Sequence, residues 1–471
     1  MKIEQLYTKC LSEATYYIMS KGEAAVIDPL RDIASYLEKA KRDKAKIKYV
    51  FLTHFHADYV SGHVDLAKAT GATIVYGPTA TADFDFYKGK DNELFTIGRL
   101  KLKLLHTPGH TLESSSYLLF DEEEKEYCLF SGDTLFINDV GRPDLAVTSS
   151  ITKEELTEKL YYSLHEKILG LPDHVLIYPN HGKGSACGKN MSNETYDTLA
   201  NQKKVNYALN TDLSKEEFVK QVLNGLAVPP QYFPKNAKMN KRVNTSINEI
   251  IARGMSPIEV NQYQHYLSLE NVMLLDVRSP KEYLEKHIPN SVFIGLDGTF
   301  ASWVGTLIEN INQPIILLAP DGREEEAVTR LARVGYDNVL GYIKGGINAW
   351  EKEGLIIESI QNLEADDLEL LDKESSFLDV RSIKEFGDDR VNVSENLPLN
   401  HIHVAANSFE KEKEYFVYCK SGYRSVIAIS FLKQKGFNNL ININGGFNAI
   451  KKSLIPTKNC KKNCPTCACN K

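Results

Sequence analysis

Thr53-His54-Phe55-His56-Ala57-Asp58-Tyr59-Val60-Ser61-Gly62-His63 stands directly after the apolar run Tyr49-Val50-Phe51-Leu52. A buried strand that opens into a loop of imidazoles and a carboxylate is a common way for a sheet to present chemistry at its edge. Three later stretches repeat the arrangement. His106-Thr107-Pro108-Gly109-His110 follows the apolar pattern at 100–105, and Ser131-Gly132-Asp133-Thr134 follows that at 127–130. Tyr178-Pro179-Asn180-His181-Gly182 follows 175–177. Imidazole and carboxylate on the ends of four strands can converge in one pocket, and neutral imidazole is a standard metal ligand. One such histidine alone would be read as an ordinary loop residue. His-x-His-x-Asp, Pro-Gly-His and Gly-Asp in this order, each after a strand, are poorly explained that way.

Around these loops, residues 1–255 alternate short apolar runs with helical periodicity. Strands are predicted at 14–19, 24–27, 49–53, 73–76, 100–105, 115–120 and 127–131, and helices at 32–42, 64–70 and 153–168. The polar stretch 229–242 reads as a connecting segment, draped over a surface through Tyr232 and Phe233.

The remainder of the chain repeats itself. Leu274-Leu275-Asp276-Val277-Arg278-Ser279 recurs as Phe377-Leu378-Asp379-Val380-Arg381-Ser382, and Lys344-Gly345-Gly346-Ile347-Asn348-Ala349 as Asn444-Gly445-Gly446-Phe447-Asn448-Ala449. Two copies of one domain, each with β-rich runs alternating with helical patterns, imply parallel sheets covered by helices. The expected division is 1–255 for the metal domain, 256–356 and 357–457 for the two copies, and 458–471 for a tail.

The order and spacing of the first-domain motifs resemble the metallo-β-lactamase superfamily, an αββα sandwich with its metal between two sheets. The binuclear zinc hydrolases of that superfamily usually carry HxHxDH. Here Tyr59 takes the place of the last histidine, which implies a mononuclear site. Within the superfamily the chain is similar to the persulfide dioxygenases. That resemblance implies one Fe(II) held by His54, His110 and Asp133, with three positions left for sulfur and O2 chemistry. His56, Asp58 and His181 would then orient ligands or handle protons. His63 has no implied ligand role and is read as a helix-start or surface histidine. Arg142, in Gly141-Arg142-Pro143-Asp144, would bind a carboxylate of the thiol substrate, with a surface salt bridge as the equal alternative. Cys187, in Ser185-Ala186-Cys187-Gly188-Lys189, would contact the persulfide or accept its sulfur; the plainer alternative is a buried cysteine.

The repeated domains resemble rhodaneses. In the second copy Cys419-Lys420-Ser421-Gly422-Tyr423-Arg424 lies between a strand and a helix, the arrangement of a CxxxxR sulfurtransferase loop. Backbone N–H groups, a helix N-terminus and Arg424 would favour the Cys419 thiolate and hold a persulfide. Aligning Gly322 with Gly422 sets Ala319 opposite Cys419 and Glu324 opposite Arg424, so the first copy is expected to be inactive and to space or dock its neighbours. The second copy lacks the GHIPGA-like segment that the first keeps in part as His287-Ile288-Pro289.

Composition sets the outer limits. The chain has 471 residues, 56 basic and 62 acidic, for a formal charge of −6. That argues against a general polyanion or nucleic-acid binder. No apolar run approaches the ~18 residues of a spanning helix, and the start lacks an apolar signal segment, so a cytoplasmic protein is expected. Its eight cysteines are too few for a disulfide scaffold. Four of them, Cys460, Cys464, Cys467 and Cys469, crowd the tail, which is read as a tail with incidental thiols rather than a soft-metal site.

These readings add up to a bifunctional sulfide-detoxification enzyme. Its implied partners are a low-molecular-weight thiol persulfide, O2 and sulfite or thiosulfate, without nucleic acid or membrane, with a homo-oligomer left open. Two rivals stand: a zinc thioester hydrolase of the glyoxalase II type, and a C-terminal half that is only a sulfur-relay or docking module.

Overall fold

Strand Glu13–Ser20 sends Tyr16 and Ile18 to one face and Tyr17 to the other, as the two-residue period of a strand requires. Strand Leu100–His106 does the same with Leu100, Leu102 and Leu104 against Leu105. Tyr16, Ile18, Ile27, Phe51 and Val75 from one sheet meet Phe95, Leu102, Leu104, Tyr117 and Phe130 from another in a single core. The outer faces are also apolar, and each is covered by helices. Tyr17, Val26 and Val50 pack under Ala34–Arg42 and His63–Thr70, whereas Leu118, Leu129 and Ile177 pack under Lys153–Tyr162 and Lys215–Leu223. The result is an αββα sandwich of two six-stranded sheets. The first is ordered Lys2–Thr8, Glu13–Ser20, Glu23–Ile27, Lys46–Phe51, Thr73–Tyr76, Tyr87–Lys88; the second Asp197–Thr198, Leu176–Pro179, Glu126–Gly132, Ser115–Phe120, Leu100–His106, Leu94–Ile97.

This computed structural model describes residues 1–267, 271–370 and 376–459. The tail cysteines lie outside the described residues. By contact density the chain forms two compact units, Met1–Glu249 with Thr329–Asp337, and Ile250–Val328 with the chain from Asn338 onward. Among the described residues no helix is long and apolar enough to cross a membrane.

Three local readings of the first unit need correction. The stretch read as one helix at 153–168 begins as expected, with Thr152 and Glu155 forming a capping box, but after Tyr162 it widens into a π-helical segment, Ser163–Ile168. There Ser163 Oγ donates to the Pro108 carbonyl at 2.7 Å, which ties the segment to the Pro-Gly-His loop. The stretch 229–242 is not a mere connector: it holds helix Phe233–Met239, and Tyr232 and Phe233 are buried. Edge strands Lys2–Thr8 and Leu94–Ile97 escaped the sequence reading because each has only one buried face or none.

The second unit holds two five-stranded sheets of the same strand order. One runs Pro257–Ile258, Val339–Ile343, Ile315–Leu318, Met273–Asp276, Val292–Phe293; the other Asn362–Leu363, Leu440–Ile443, Tyr415–Tyr418, Ser376–Asp379, Ser394–Asn396. All pairings are parallel. Their central strands, Ile315–Leu318 and Tyr415–Tyr418, are buried throughout, as parallel strands covered on both faces must be.

Candidate metal centre and cysteine loop

Four strand ends deliver the first site. His54 follows Lys46–Phe51, His110 follows Leu100–His106, Asp133 follows Glu126–Gly132 and His181 follows Leu176–Pro179. All four side chains are buried. His110 Nε2 stands 3.5 Å from Asp133 Oδ2 and His54 Nε2 stands 4.0 Å from it. The His54 and His110 rings meet edge to face, centroids 4.8 Å apart. The ligand atoms of His54, His110 and Asp133 all lie within 4.8 Å of one another.

Each ring is aimed by its other nitrogen. His110 Nδ1 donates to the Arg142 carbonyl at 2.8 Å. His54 Nδ1 lies 3.0 Å from Thr53 Oγ1, whose hydroxyl donates to Asp28 Oδ2 at 2.8 Å. Outer partners of this kind fix the tautomer and leave both Nε2 lone pairs facing Asp133. Burial, with the neighbouring His56, His110 and His181, pushes the His54 pKa well down, so the ring stays neutral.

Neither oxygen of Asp133, neither oxygen of Asp58, nor His181 Nε2 has a hydrogen-bond partner among the described residues, although all are buried. His181 Nε2 lies 3.4 Å from Asp58 Oδ2 and 3.6 Å from Asp133 Oδ1. Buried acceptors converging without donors are costly unless a cation neutralises them. The residue set therefore fits a divalent metal. Asp58, His181 and Cys187 form a second group with ligand atoms within 4.8 Å of each other. Burial, with Asp58 and Asp133 nearby, pushes the Cys187 thiol pKa well up.

His56 lies beside His54, ring centroids 4.2 Å apart, and its buried Nδ1 has no hydrogen-bond partner among the described residues. Its Nε2 lies 2.9 Å from Asp28 Oδ1 and its ring stacks on Tyr59, centroids 4.5 Å apart. The Tyr59 hydroxyl donates to the Asp28 carbonyl at 3.2 Å. Arg142 is buried rather than on the surface. Four of its five N–H groups reach Asp144, Ala186 and Ala227, with both Asp144 bonds at 2.7 Å. His63 opens its helix but is buried, and burial holds its pKa down at about 3.

Asp28 was missed by the sequence reading. Its carboxylate accepts from Thr53 N–H, Thr53 Oγ1, Asn180 Nδ2 and the His56 ring, binding the His54 and His181 loops together. The signal was present: Asp28 follows strand Glu23–Ile27, a fifth strand end bearing a carboxylate. Asn240, in the segment read as a connector, donates to the His56 and Tyr59 carbonyls at 2.8 Å each and accepts from Ser61 N–H. No local pattern announces such a contact.

The second site lies at the end of strand Tyr415–Tyr418. The Gly422 N–H points at Cys419 Sγ, 3.1 Å away, and Gly422 takes φ +103° as it opens helix Tyr423–Gln434. Gly446, at φ +56°, backs the loop: a Cβ there would stand 2.4 Å from the Cys419 carbonyl. The sequence reading has Arg424 adding positive potential at the sulfur; the structure also gives it a carboxylate partner. Its two Nη atoms bind both oxygens of Glu385 at 2.8 and 2.9 Å. Burial opposes ionisation of Glu385, and Arg424 outweighs it, holding that carboxyl down at about 2. In the first copy Ala319 follows the equivalent strand Ile315–Leu318, and Glu324 opens the equivalent helix.

A buried metal-ligand cluster at the rim of an αββα sandwich, joined to parallel-sheet domains of which one carries a cysteine loop, defines the class. Comparison with known proteins agrees. The metallo-beta-lactamase superfamily profile matches residues 8–181 and the rhodanese-like domain profile matches 259–353 and 364–453. The persulfide dioxygenase ETHE1 of Homo sapiens is 32% identical over 251 residues, which is 51% of this chain and 87% of that protein. A probable hydroxyacylglutathione hydrolase, glo2 of Schizosaccharomyces pombe, is 29% identical over 160 residues, 33% of this chain and 58% of its own length. A solved metallo-beta-lactamase from Staphylococcus aureus subsp. aureus COL is 31% identical, covering 73% of this chain and 98% of its own with a TM-score of 0.63. The chain belongs to the metallo-β-lactamase superfamily, as a fusion with two rhodanese-like domains.

Proposed function

We propose that the first domain oxidises a low-molecular-weight thiol persulfide with O2 and one water, giving sulfite, free thiol and two protons, and that the second rhodanese-like copy transfers sulfur through Cys419. The observation that carries this reading is the convergence of His54, His110 and Asp133, with Tyr59 standing where a binuclear hydrolase has another ligand histidine. Two imidazoles and one carboxylate suit a single ferrous ion, which when bound would supply open positions for sulfur and O2 chemistry. The chain's own residues do the rest. Thr53 and the Arg142 carbonyl fix the ligand rings, and Asp28 holds the ligand loops in register. In this reading burial of the cluster keeps bulk solvent out, and Asp58 and His181, 3.4 Å apart, orient ligands or handle protons. This reading gives Cys187 contact with the persulfide or its sulfur, and Arg142, paired with Asp144, a carboxylate of the thiol.

At the second site the Cys419 thiolate attacks the terminal sulfur of a persulfide and becomes Cys419–S–SH, while the donor leaves as thiolate. Sulfite then takes that sulfur to form thiosulfate; the reverse regenerates persulfide. Such chemistry needs a free thiol and fits the reducing cytoplasm. Linking the sites raises the local concentration of sulfite at Cys419. Residues 1–255, 256–356 and 357–457 are assigned as the dioxygenase, the inactive copy and the active copy.

A second reading, thioester hydrolysis at a two-metal centre, is favoured by one observation: Asp58, His181 and Cys187 form a further ligand group beside Asp133. Anaerobic purification, metal analysis and an oxygen electrode separate the two. One iron per chain with persulfide-dependent O2 uptake supports dioxygenation; two zinc ions and no O2 uptake overturn it.

A further inference from the structure

The cavity over Cys419 is built by both rhodanese-like copies. It encloses about 290 Å³ and is lined by Thr299, Trp303, Cys419, Ser421, Tyr423 and Arg424. Thr299 and Trp303 belong to the first copy, at the start of helix Phe300–Leu307. The wall residues from both copies lie in one compact unit, and the first copy's loop is clamped onto the second. The Tyr423 hydroxyl donates to the Gly295 carbonyl at 2.7 Å, and Phe293 N–H donates to Ser430 Oγ at 3.0 Å. A Cβ on Gly298 would stand 2.5 Å from the Tyr423 ring, so the loop reaches this close only as glycine.

We propose that Trp303 forms the recognition wall for the carbon body of an organic thiol persulfide, whose terminal sulfur is delivered to Cys419. The copy without the cysteine thereby supplies one wall of the binding site. This deepens the sulfur-transfer reading above and rests on it. The cavity is about ten times the ~30 Å³ share of a water molecule, room for an organic group well beyond a bare oxyanion. Arg424, the cation in its wall, is engaged with Glu385 at two points. The other wall groups are an indole, a phenol ring and hydroxyls, surfaces that favour a polarisable sulfur-bearing chain. In the transfer Cys419–S⁻ attacks the outer sulfur of R–S–S–H. A new S–S bond from Cys419 to that sulfur forms as the S–S bond within the persulfide breaks. R–S⁻ leaves with the electron pair, the proton stays on the transferred sulfur, and no external oxidant is needed.

The test compares glutathione persulfide with thiosulfate as donors to the full-length enzyme, with sulfite and cyanide as their acceptors. Trp303→Ala is expected to lower the ratio of kcat/KM for persulfide over thiosulfate about tenfold, chiefly through KM, and Trp303→Phe to return it to within about threefold of wild type. An equal fall for both donors overturns the proposal. A binding readout stands apart from activity. The chain has two tryptophans, Trp303 and Trp350. In Trp350→Phe protein, glutathione should quench or shift the Trp303 emission, and thiosulfate should do so far less. Should that variant misfold, the difference between wild type and Trp303→Phe isolates the same signal. No change with glutathione, or an equal change with thiosulfate, overturns the assignment. If no donor transfers sulfur, the Cys419 reading fails, while the fluorescence result still decides the wall.

Discussion

The two rhodanese-like copies share a skeleton and part at one loop. Asp276 holds Arg278 through bonds of 3.0, 3.1 and 2.5 Å, and Asp379 holds Arg381 through bonds of 2.9, 3.1 and 2.6 Å. Ser279 with Glu282 and Ser382 with Glu385 form the same capping box. The shared Asp-Val-Arg signature persists unchanged where Ala319 stands in place of the cysteine, which is the behaviour of a folding device. What differs is the residue after the central strand, Ala319 against Cys419, and the start of the next helix, Glu324 against Arg424. Only in the second copy does the capping-box glutamate gain a second task, because Arg424 is there to pair with it. Chemistry has been gained or lost on an unchanged scaffold by replacing a few side chains at a strand-to-helix loop.

That contrast can be broken in several places. Cys419→Ser should lower sulfur transfer at least ~10³-fold while leaving persulfide-dependent O2 uptake in place, since the nucleophile has no substitute. Residual transfer above a tenth of wild type would mean that another thiol carries the sulfur. Asp276→Asn and Asp379→Asn should each cost about 3–5 kcal/mol, because each strands a buried arginine. Denaturation of the two variants would sharpen the comparison: similar losses fit a shared structural role, whereas loss of transfer without loss of stability in Asp379→Asn would make that aspartate chemical.

The graft Ala319→Cys with Glu324→Arg should yield transfer in the Cys419→Ser background of no more than about one hundredth of wild type, because a nucleophile without a formed donor cavity lacks orientation. Full activity would show that the first copy lacked nothing else. Glu385→Gln should lower kcat about tenfold by freeing Arg424 from its position. The pair also sets a pH dependence. The folded carboxyl is held down at about 2, below its usual range near 4.5. Its stabilisation is therefore complete above that usual range and is lost as pH falls toward 2. Acid unfolding of wild type should show this loss over that window, and Glu385→Gln should not.

Much of the candidate metal centre was legible, because each ligand follows a strand and the strands announce themselves by apolar runs. His54, His110, Asp133 and His181 all converge as their positions implied. Asp28 could have been found by the same rule but lies in an unremarkable Ile-Asp-Pro context. Asn240 could not, since it reaches the His56 loop from nearly two hundred residues away and carries no periodicity of its own. The Cys419 loop was legible as a motif. Its partner was not, because the Glu385 that holds Arg424 looks in sequence like a plain helix cap.

The sequence alone determined the sandwich class, the duplication, the alanine at 319 opposite Cys419 and the set of groups able to bind a metal. These follow from local patterns of apolar spacing and side-chain chemistry. Only the tertiary structure decided which imidazole nitrogen faces the carboxylate, that Arg142 spends its charge on Asp144, and that Trp303 stands over a cysteine more than a hundred residues away. Those outcomes depend on how burial forces distant polar groups and rings to satisfy one another, and no window of neighbouring residues contains that information.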